Sequence, residues 1–216
     1  MGVKTKSKYF SLYQNIKKGL RNPICRKIFL DNLEECLKNG SNKLVCLEEE
    51  INSYKEENGE TYYKFNMQYV INECSAPILI FSTYSKQERM FPFTDYKIVD
   101  NMWMATFNEQ LLTMARDIKE SCTEEVFENL KKLNMPYAAK LYLYMVKNDY
   151  KDNKELIISE EDCRSIFDIE DDRYVNNYEL VRKVLKSVLA DIKCTIGIEA
   201  EASKIYGTGK ISIVIR

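Results

Sequence analysis

A short strand that runs straight into an acid-tipped helix occurs twice in these 216 residues. Each occurrence is followed by a further helix and a pair of short strands, and the second ends in a long two-faced helix and a glycine-turned strand pair. Together these observations predict an α+β fold of two tandem winged-helix domains, a helix-turn-helix variant whose hairpin forms the wing. Internal duplication would relate the two, with an N-terminal domain over 1–122 and a C-terminal domain over 123–216.

In chain order, 9–21 and 23–38 read as helices. Asn22 caps the second, Pro23 takes the permitted first position and Gly40 ends it. Cys25, Phe29, Leu33, Cys36 and Leu37 form its apolar stripe. A strand over 43–47 leads into a short helix over 48–54 with Glu48, Glu49 and Glu50 in its first turn. Residues 61–74 read as a longer helix stopped by Pro77. The strand ILIFSTY, a loop SKQERMFPF and a hairpin follow, the hairpin being DYKIV and MWMATF about the turn Asp100-Asn101. Trp103 and its neighbouring methionines read as core.

Asn108 caps a helix to Lys119, Thr123 caps another to Leu133, and Pro136 opens a third to Lys147. The strand ELII then precedes a short helix to Phe167, capped by Ser159 with Asp162 three residues on. The acidic turn DIEDDR leads to the long helix over 177–193, then the strand TIGIEAE, the loop SKIYGTG and the strand KISIVIR. The duplication lays 42–54 over 154–166, Leu44 on Leu156, Val45 on Ile157 and the acids 48–50 on 160–162. Farther on it lays 74–80 over 192–198.

The long helix carries the functional reading. Val181, Val184, Leu185, Val188 and Ile192 fall on one side at helical spacing, and Glu179, Arg182, Lys183, Lys186 and Lys193 on the other. Three cations within two turns suit phosphates and major-groove base edges, whereas a solvated face would account for the stripe without a ligand. Arg182 and Lys183 are the expected base-edge and phosphate contacts and Lys186 a phosphate contact. Arg173, Asn177 and Tyr178 stand at the helix entrance, where Tyr178 can pack on sugar or on the wing. Lys204 and Lys210 flank the flexible wing turn. In the first half the corresponding helix offers Tyr62, Lys64 and Gln68.

Composition excludes more than it selects. There is no histidine, so histidine triads, histidine general bases and histidine-metal nuclease centres are out, and no carboxylate, lysine or cysteine arrangement converges on a catalytic site. The seven cysteines contain no CxxC pair, and buried free thiols are expected rather than zinc. GTGK at 207–210 lacks the glycine and hydroxyl spacing of a phosphate loop, and the acids Asp168, Glu170, Asp171 and Asp172 lack calcium-loop spacing. No metal or cofactor is therefore expected. The 32 basic and 33 acidic residues leave a net charge of −1, but the charge is segregated: every charged residue up to Lys27 is basic. No apolar run of membrane-spanning length or signal-peptide pattern occurs, which predicts a cytoplasmic chain without membrane partners.

From residue 77 to 216 the sequence resembles the tandem winged-helix replication initiators (Rep proteins) of theta-replicating plasmids. LNMPYAAKLYLYM carries the family's Leu-x-x-x-Tyr-x-x-Arg/Lys-Leu-Tyr helix in Leu133, Tyr137, Lys140, Leu141 and Tyr142. ISEEDCRSIFDI is similar to its serine-capped helix, and LVRKVLKSVLADIK to its recognition helix, with Leu180 in an aromatic's place and Arg182 and Lys183 as the basic pair. Residues 91–112 resemble the segment linking the family's two domains. Met135 stands where the family usually has Ser, and Ser187 where Pro is common.

The resemblance implies a non-enzymatic bacterial initiator that binds directly repeated origin sites (iterons) in double-stranded DNA. It would open an adjacent AT-rich segment, recruit the host initiator and replicative helicase, and repress its own gene as a homodimer, the first domain serving self-association. Two other readings stand beside it. One is a tandem winged-helix transcriptional repressor reading a palindrome, the other a protein-interaction module without DNA binding, which the near-zero net charge favours.

Overall fold

The computed structural model describes residues 9–57, 66–82, 87–167, 169 and 177–216, with the backbone alone at 54–57, 81–82 and 177–178. It is an α+β chain whose described residues form two three-stranded antiparallel sheets and a two-stranded ribbon. The described residues pack as two compact units, one over 15–80 and 88–120, the other over 121–216 with 9–14, 81–82 and 87.

The first unit contains most of α1 (Leu12–Gly19), then α2 (Pro23–Asn39), β1 (Lys43–Leu47), α3 (Glu48–Glu57) and α4 (Met67–Ser75). It continues through β2 (Ile78–Ser82), β3 (Gln87–Met90), β4 (Phe93–Val99), β5 (Met102–Phe107) and α5 (Glu109–Glu120). The Asn22 side chain accepts from the Ile24 and Cys25 amides, Pro23 is the first helical residue and Gly40 closes α2 at φ 65°. Its buried stripe is broader than expected, because Ile24 and Ile28 join Cys25, Phe29, Leu33 and Cys36, and Leu37 is half-buried. Phe29 packs edge-on to Phe107 at 5.5 Å between ring centroids, and Phe93 edge-on to Trp103 at 5.4 Å.

β1 enters α3 without a loop. The Glu50 carboxylate reaches back to the Leu47 amide (2.8 Å), closing the helix start as an N-terminal acid should. The sheet order is β1-β5-β4. Asp100 and Asn101, at φ 49° and 60°, form the left-handed two-residue turn that matches the twist of a hairpin.

Four expectations change here. The first helix begins at Leu12 and ends at Gly19, inside the 9–21 expected. The helix expected from Thr61 starts at Met67, because Asn66 is extended (φ −130°, ψ 173°) and caps it by accepting from the Tyr69 amide. The loop 85–93 contains β3, which pairs with β2 in a separate ribbon. Trp103 is fully buried, but Met102 and Met104 alternate to the opposite, half-exposed face, as the two-residue period of a strand requires.

The second unit contains α6 (Glu124–Lys132), α7 (Pro136–Lys147), β6 (Glu155–Ser159), α8 (Glu160–Phe167), and a helical run of α9 (Asn177–Leu180), a π-helical turn (Val181–Leu185) and α10 (Lys186–Ile196). The hairpin strands are β7 (Ala200–Ile205) and β8 (Lys210–Ile215), and the sheet order is β6-β8-β7. Again the strand enters the helix directly: the Ser159 hydroxyl accepts from the Asp162 amide at 2.9 Å and donates to its carboxylate at 2.6 Å. In both three-stranded sheets the first strand lies beside the last and the hairpin partner is outermost. Leu44 and Leu156 point inward, Val45 and Ile157 outward. The proposed overlay of 74–80 on 192–198 does not extend to pairing, since β2 joins β3 while β7 joins β8; in sheet position β4 and β5 correspond to β7 and β8.

The long helix continues three residues beyond Lys193, and Gly197 at φ 75° ends it, so the start of TIGIEAE is helix and left-handed cap rather than strand. Of the expected loop 203–209, Ser203 to Ile205 belong to β7 and only 206–209 turn. Asp191 fixes this helix to the start of α7. Its carboxylate accepts from the Asn134 and Met135 amides (3.0 and 2.9 Å), from the Asn134 side chain (3.1 Å) and from the Thr195 hydroxyl (3.1 Å). Met135, the N-cap of α7, has no side-chain oxygen, and a carboxylate from a distant helix holds its amide and that of Asn134 at the helix entrance.

Asp191→Ala is expected to lose about 2 kcal/mol of stability, the upper range of an N-cap and charged hydrogen-bond loss. Adding Met135→Ser, which gives α7 its own cap, should restore part of it. Urea unfolding of the single and double variants measures both, and an unchanged midpoint for Asp191→Ala would refute the assignment.

Candidate nucleic-acid interface

The buried residues of the long helix recur every fourth position: Leu180, Val184, Val188 and Ile192 in one row, Val181, Leu185 and Leu189 in the next. On an ideal α-helix a four-residue repeat drifts about 40° per step, so such a row would wind out of the core within three steps. The π turn removes the drift. The Lys186 amide bonds the Val181 carbonyl five residues back, the backbone unwinds, and both rows stay buried. The spacing of four was visible in the sequence; its consequence for the backbone was not drawn from it.

Opposite those rows Arg182, Lys183 and Lys186 are exposed. Arg182 and Lys186, four apart, lie along one line with Ala190 beyond them, and Lys183 lies in line with Ser187, whose hydroxyl donates to the Val184 carbonyl at 2.8 Å. Lys183 pairs with Glu179 at 2.7 Å. The Lys183 hydrogen bond, aided by its charge, holds the Glu179 carboxyl below the usual carboxylate range. Lys193, expected on the same face, is instead engaged by Glu199, and that hydrogen bond raises the Lys193 pKa and lowers the Glu199 one.

β7 packs beside the π turn and α10, which sets the hairpin against the long helix. At the hairpin base Glu199 and Glu201 take up Lys193 and Arg216, the latter at 2.8 Å. Beyond Glu201 there is no acid to residue 216. Lys204 and Lys210 are exposed near the tip, and neither has an ion-pair partner among the described residues. Gly207 (φ 75°) and Gly209 (φ 64°) supply the left-handed conformations of the four-residue turn, braced by the Thr208 hydroxyl, which donates to the Ile205 carbonyl and accepts from the Lys210 amide. Tyr206 at the tip is 88% exposed.

Five of the expected contact residues thus lie on adjoining elements: Arg182, Lys183 and Lys186 on the helix, Lys204 and Lys210 on the hairpin. Asn177 and Tyr178 lie in α9, and their side chains, like all of Arg173, Tyr62 and Lys64, fall outside the described residues. Gln68 is exposed on α4 and bonds Asn72 along its own helix at 2.9 Å. Tyr206 was missed because an aromatic beside glycines carries no helical or strand period; its position in a stretch with no acid after Glu201 was the available signal. The acidic turn 168–172, apart from Ile169, is also outside the described residues. Among those described, no group of three or more potential ligands is placed to hold a metal ion, and no helix is long and apolar enough to cross a membrane.

Glu179 should titrate below an ordinary glutamate and move back up in Lys183→Met. A lowered carboxyl pKa stabilises the fold above its unfolded value and loses that contribution as pH falls through the folded one, so the helix entrance should loosen on acidification. Carboxyl NMR titration of both proteins checks this; identical midpoints would contradict the pair.

No protein-family model matches the chain, and no curated protein matches it in sequence.

Proposed function

We propose that this chain is a non-enzymatic DNA-binding initiator of replication, built from two tandem winged helices that read directly repeated sites in an origin. The observation that carries the reading is the cationic face of the long helix, with a glycine-tipped hairpin that has no acid after Glu201 packed beside the same helix. A helix of this kind fits a major groove, where Arg182 can reach base edges and Lys183 and Lys186 phosphates, while Lys204 and Lys210 follow the backbone from the hairpin. Glu179 acts as an internal competitor that Lys183 must leave to meet a phosphate. The two halves' shared strand order and shared inward and outward residues support the tandem arrangement. The likeness of 77–216 to plasmid Rep proteins supports the origin as target and a cytoplasmic bacterial host's initiator and replicative helicase as partners.

Selection from a random duplex library at near-physiological salt tests the reading first. One asymmetric motif of about two helical turns is the expected result. A short palindrome would favour the repressor instead, and no enrichment would overturn DNA recognition. On the selected site, changing Arg182, Lys183 and Lys186 together to Ala should flatten the log–log salt dependence by roughly 0.9 for each phosphate contact removed. An unchanged slope would refute the helix assignment.

Self-association belongs to the same proposal and rests on the sheet β1-β5-β4. Its outer face carries Val45 (50% exposed), Leu47 (41%), Val99, Met102 and Met104. The matching face of β6-β8-β7 keeps Ile157 and Val214 exposed but has Ser159, Lys210 and Ser212 where the first sheet has Leu47, Met102 and Met104. The outer edge of β4 pairs with no strand among the described residues. A second copy adding there antiparallel about Tyr96 would set each Asp95 opposite Lys97 of the partner subunit, a favourable cross-strand pair. Lys97→Asp should weaken the dimer about tenfold in sedimentation equilibrium, and adding Asp95→Lys should recover it. Equal dimerisation of all three proteins would exclude this edge.

A further inference from the structure

We infer that Tyr206 is a stacking residue for an unpaired DNA base, a role that rests on the DNA-binding reading but adds a second ligand to it. At 88% exposure this is the most open of the exposed large apolar side chains among the described residues. Burial with the core cannot explain a ring there, and a turn needs none. The ring is nevertheless held: the Lys204 ammonium lies 5.8 Å from its centroid, within the range of a cation–π contact. Its backbone is fixed as well, because Ile205 pairs with Lys210 at the end of the ladder and the Thr208 hydroxyl ties the turn together.

The ligand follows from the shape and charge of the tip. A duplex groove presents base edges, which hydrogen-bond to amides and guanidinium groups, whereas a π face is offered only by a base that has left the stack. A cation beside an exposed aromatic, in a ribbon with Lys204 and Lys210 near its tip and no acid after Glu201, is the combination that binds single strands: the charges track the backbone and the ring takes the base. Its position next to the cationic helix lets both contacts be made from one unit. An initiator that melts DNA beside its site would meet such a base at the junction of duplex and open strand.

The test uses the full chain with Tyr206→Ala and Tyr206→Trp. The probes are a single-stranded oligothymidylate with one central 2-aminopurine and a fully paired duplex of equal length. Wild type and Tyr206→Trp should alter the 2-aminopurine fluorescence of the single strand. Tyr206→Ala should lose that change and bind the single strand about 5- to 150-fold more weakly, with duplex affinity altered less than threefold. The exposed side chain makes unfolding of the variants unexpected, and circular dichroism verifies it. Equal single-strand binding by wild type and Tyr206→Ala would overturn the inference, as would equal losses on both DNAs, which would make Tyr206 a general wing contact. Wild type that binds the duplex but not the single strand would overturn the inference and leave the duplex reading intact. Binding to neither DNA would overturn both.

Discussion

Everything at the candidate interface depends on keeping a four-residue apolar repeat buried along one helix. Seven residues between Leu180 and Ile192 are withdrawn from water, worth of order ten kcal/mol of hydrophobic transfer before the entropy of ordering them is subtracted. That burial fixes the rotation of the helix about its axis and therefore which residues face out. The π turn is the geometric cost of the repeat, and the line from Arg182 to Lys186 is its by-product. Asp191 then sets the helix's position along its axis by bonding the Asn134 and Met135 amides that lead into α7. A cationic face needs both constraints, since three long flexible side chains define a surface only when their backbone has one placement.

Charge is managed by local pairing. Nearly equal numbers of acids and bases would suggest a surface indifferent to polyanions. The acids near the interface are instead spent at its borders: Glu179 on Lys183 at the helix start, Glu199 and Glu201 on Lys193 and Arg216 at the hairpin base. Exposed pairs of this kind add little stability. Their effect is to leave Lys186 on the helix and Lys204 and Lys210 near the hairpin tip without an acid partner among the described residues.

Much of this was legible in the sequence, and the rest was not for definable reasons. Caps that act within a few residues, such as Asn22, Thr123, Ser159 and the Asp100-Asn101 turn, were read correctly because their physics is local. The direct strand-to-helix junctions at Leu47 and Ser159 were read for the same reason. The failures are non-local or depend on backbone departures. Asn66 was passed over because its apolar neighbours continue a helical period across it, β3 because Gln87 to Met90 shows no clean alternation, and Gly197 because β-branched residues on both sides suggest a strand. The Asp191 contact joins residues 56 positions apart, which no local pattern announces. At the site, the cations are read from the sequence, while the engagement of Lys193 by Glu199 and the exposure of Tyr206 needed the structure.

The cysteines carry a practical consequence. Cys46 and Cys163 have their thiols pushed up to about 12, first by burial and then by neighbouring acids, and burial raises Cys36 and Cys122 as well. At pH 7 a thiol of pKa 12 is ionised about one part in 10⁵, so Cys46 and Cys163 are nearly inert to electrophiles and oxidants. Cys194 alone of the seven is exposed, one residue after Lys193 in the last turn of the long helix. The chain therefore offers a single addressable sulfur at the foot of its cationic face, where an alkylating fluorophore can be attached without touching the core.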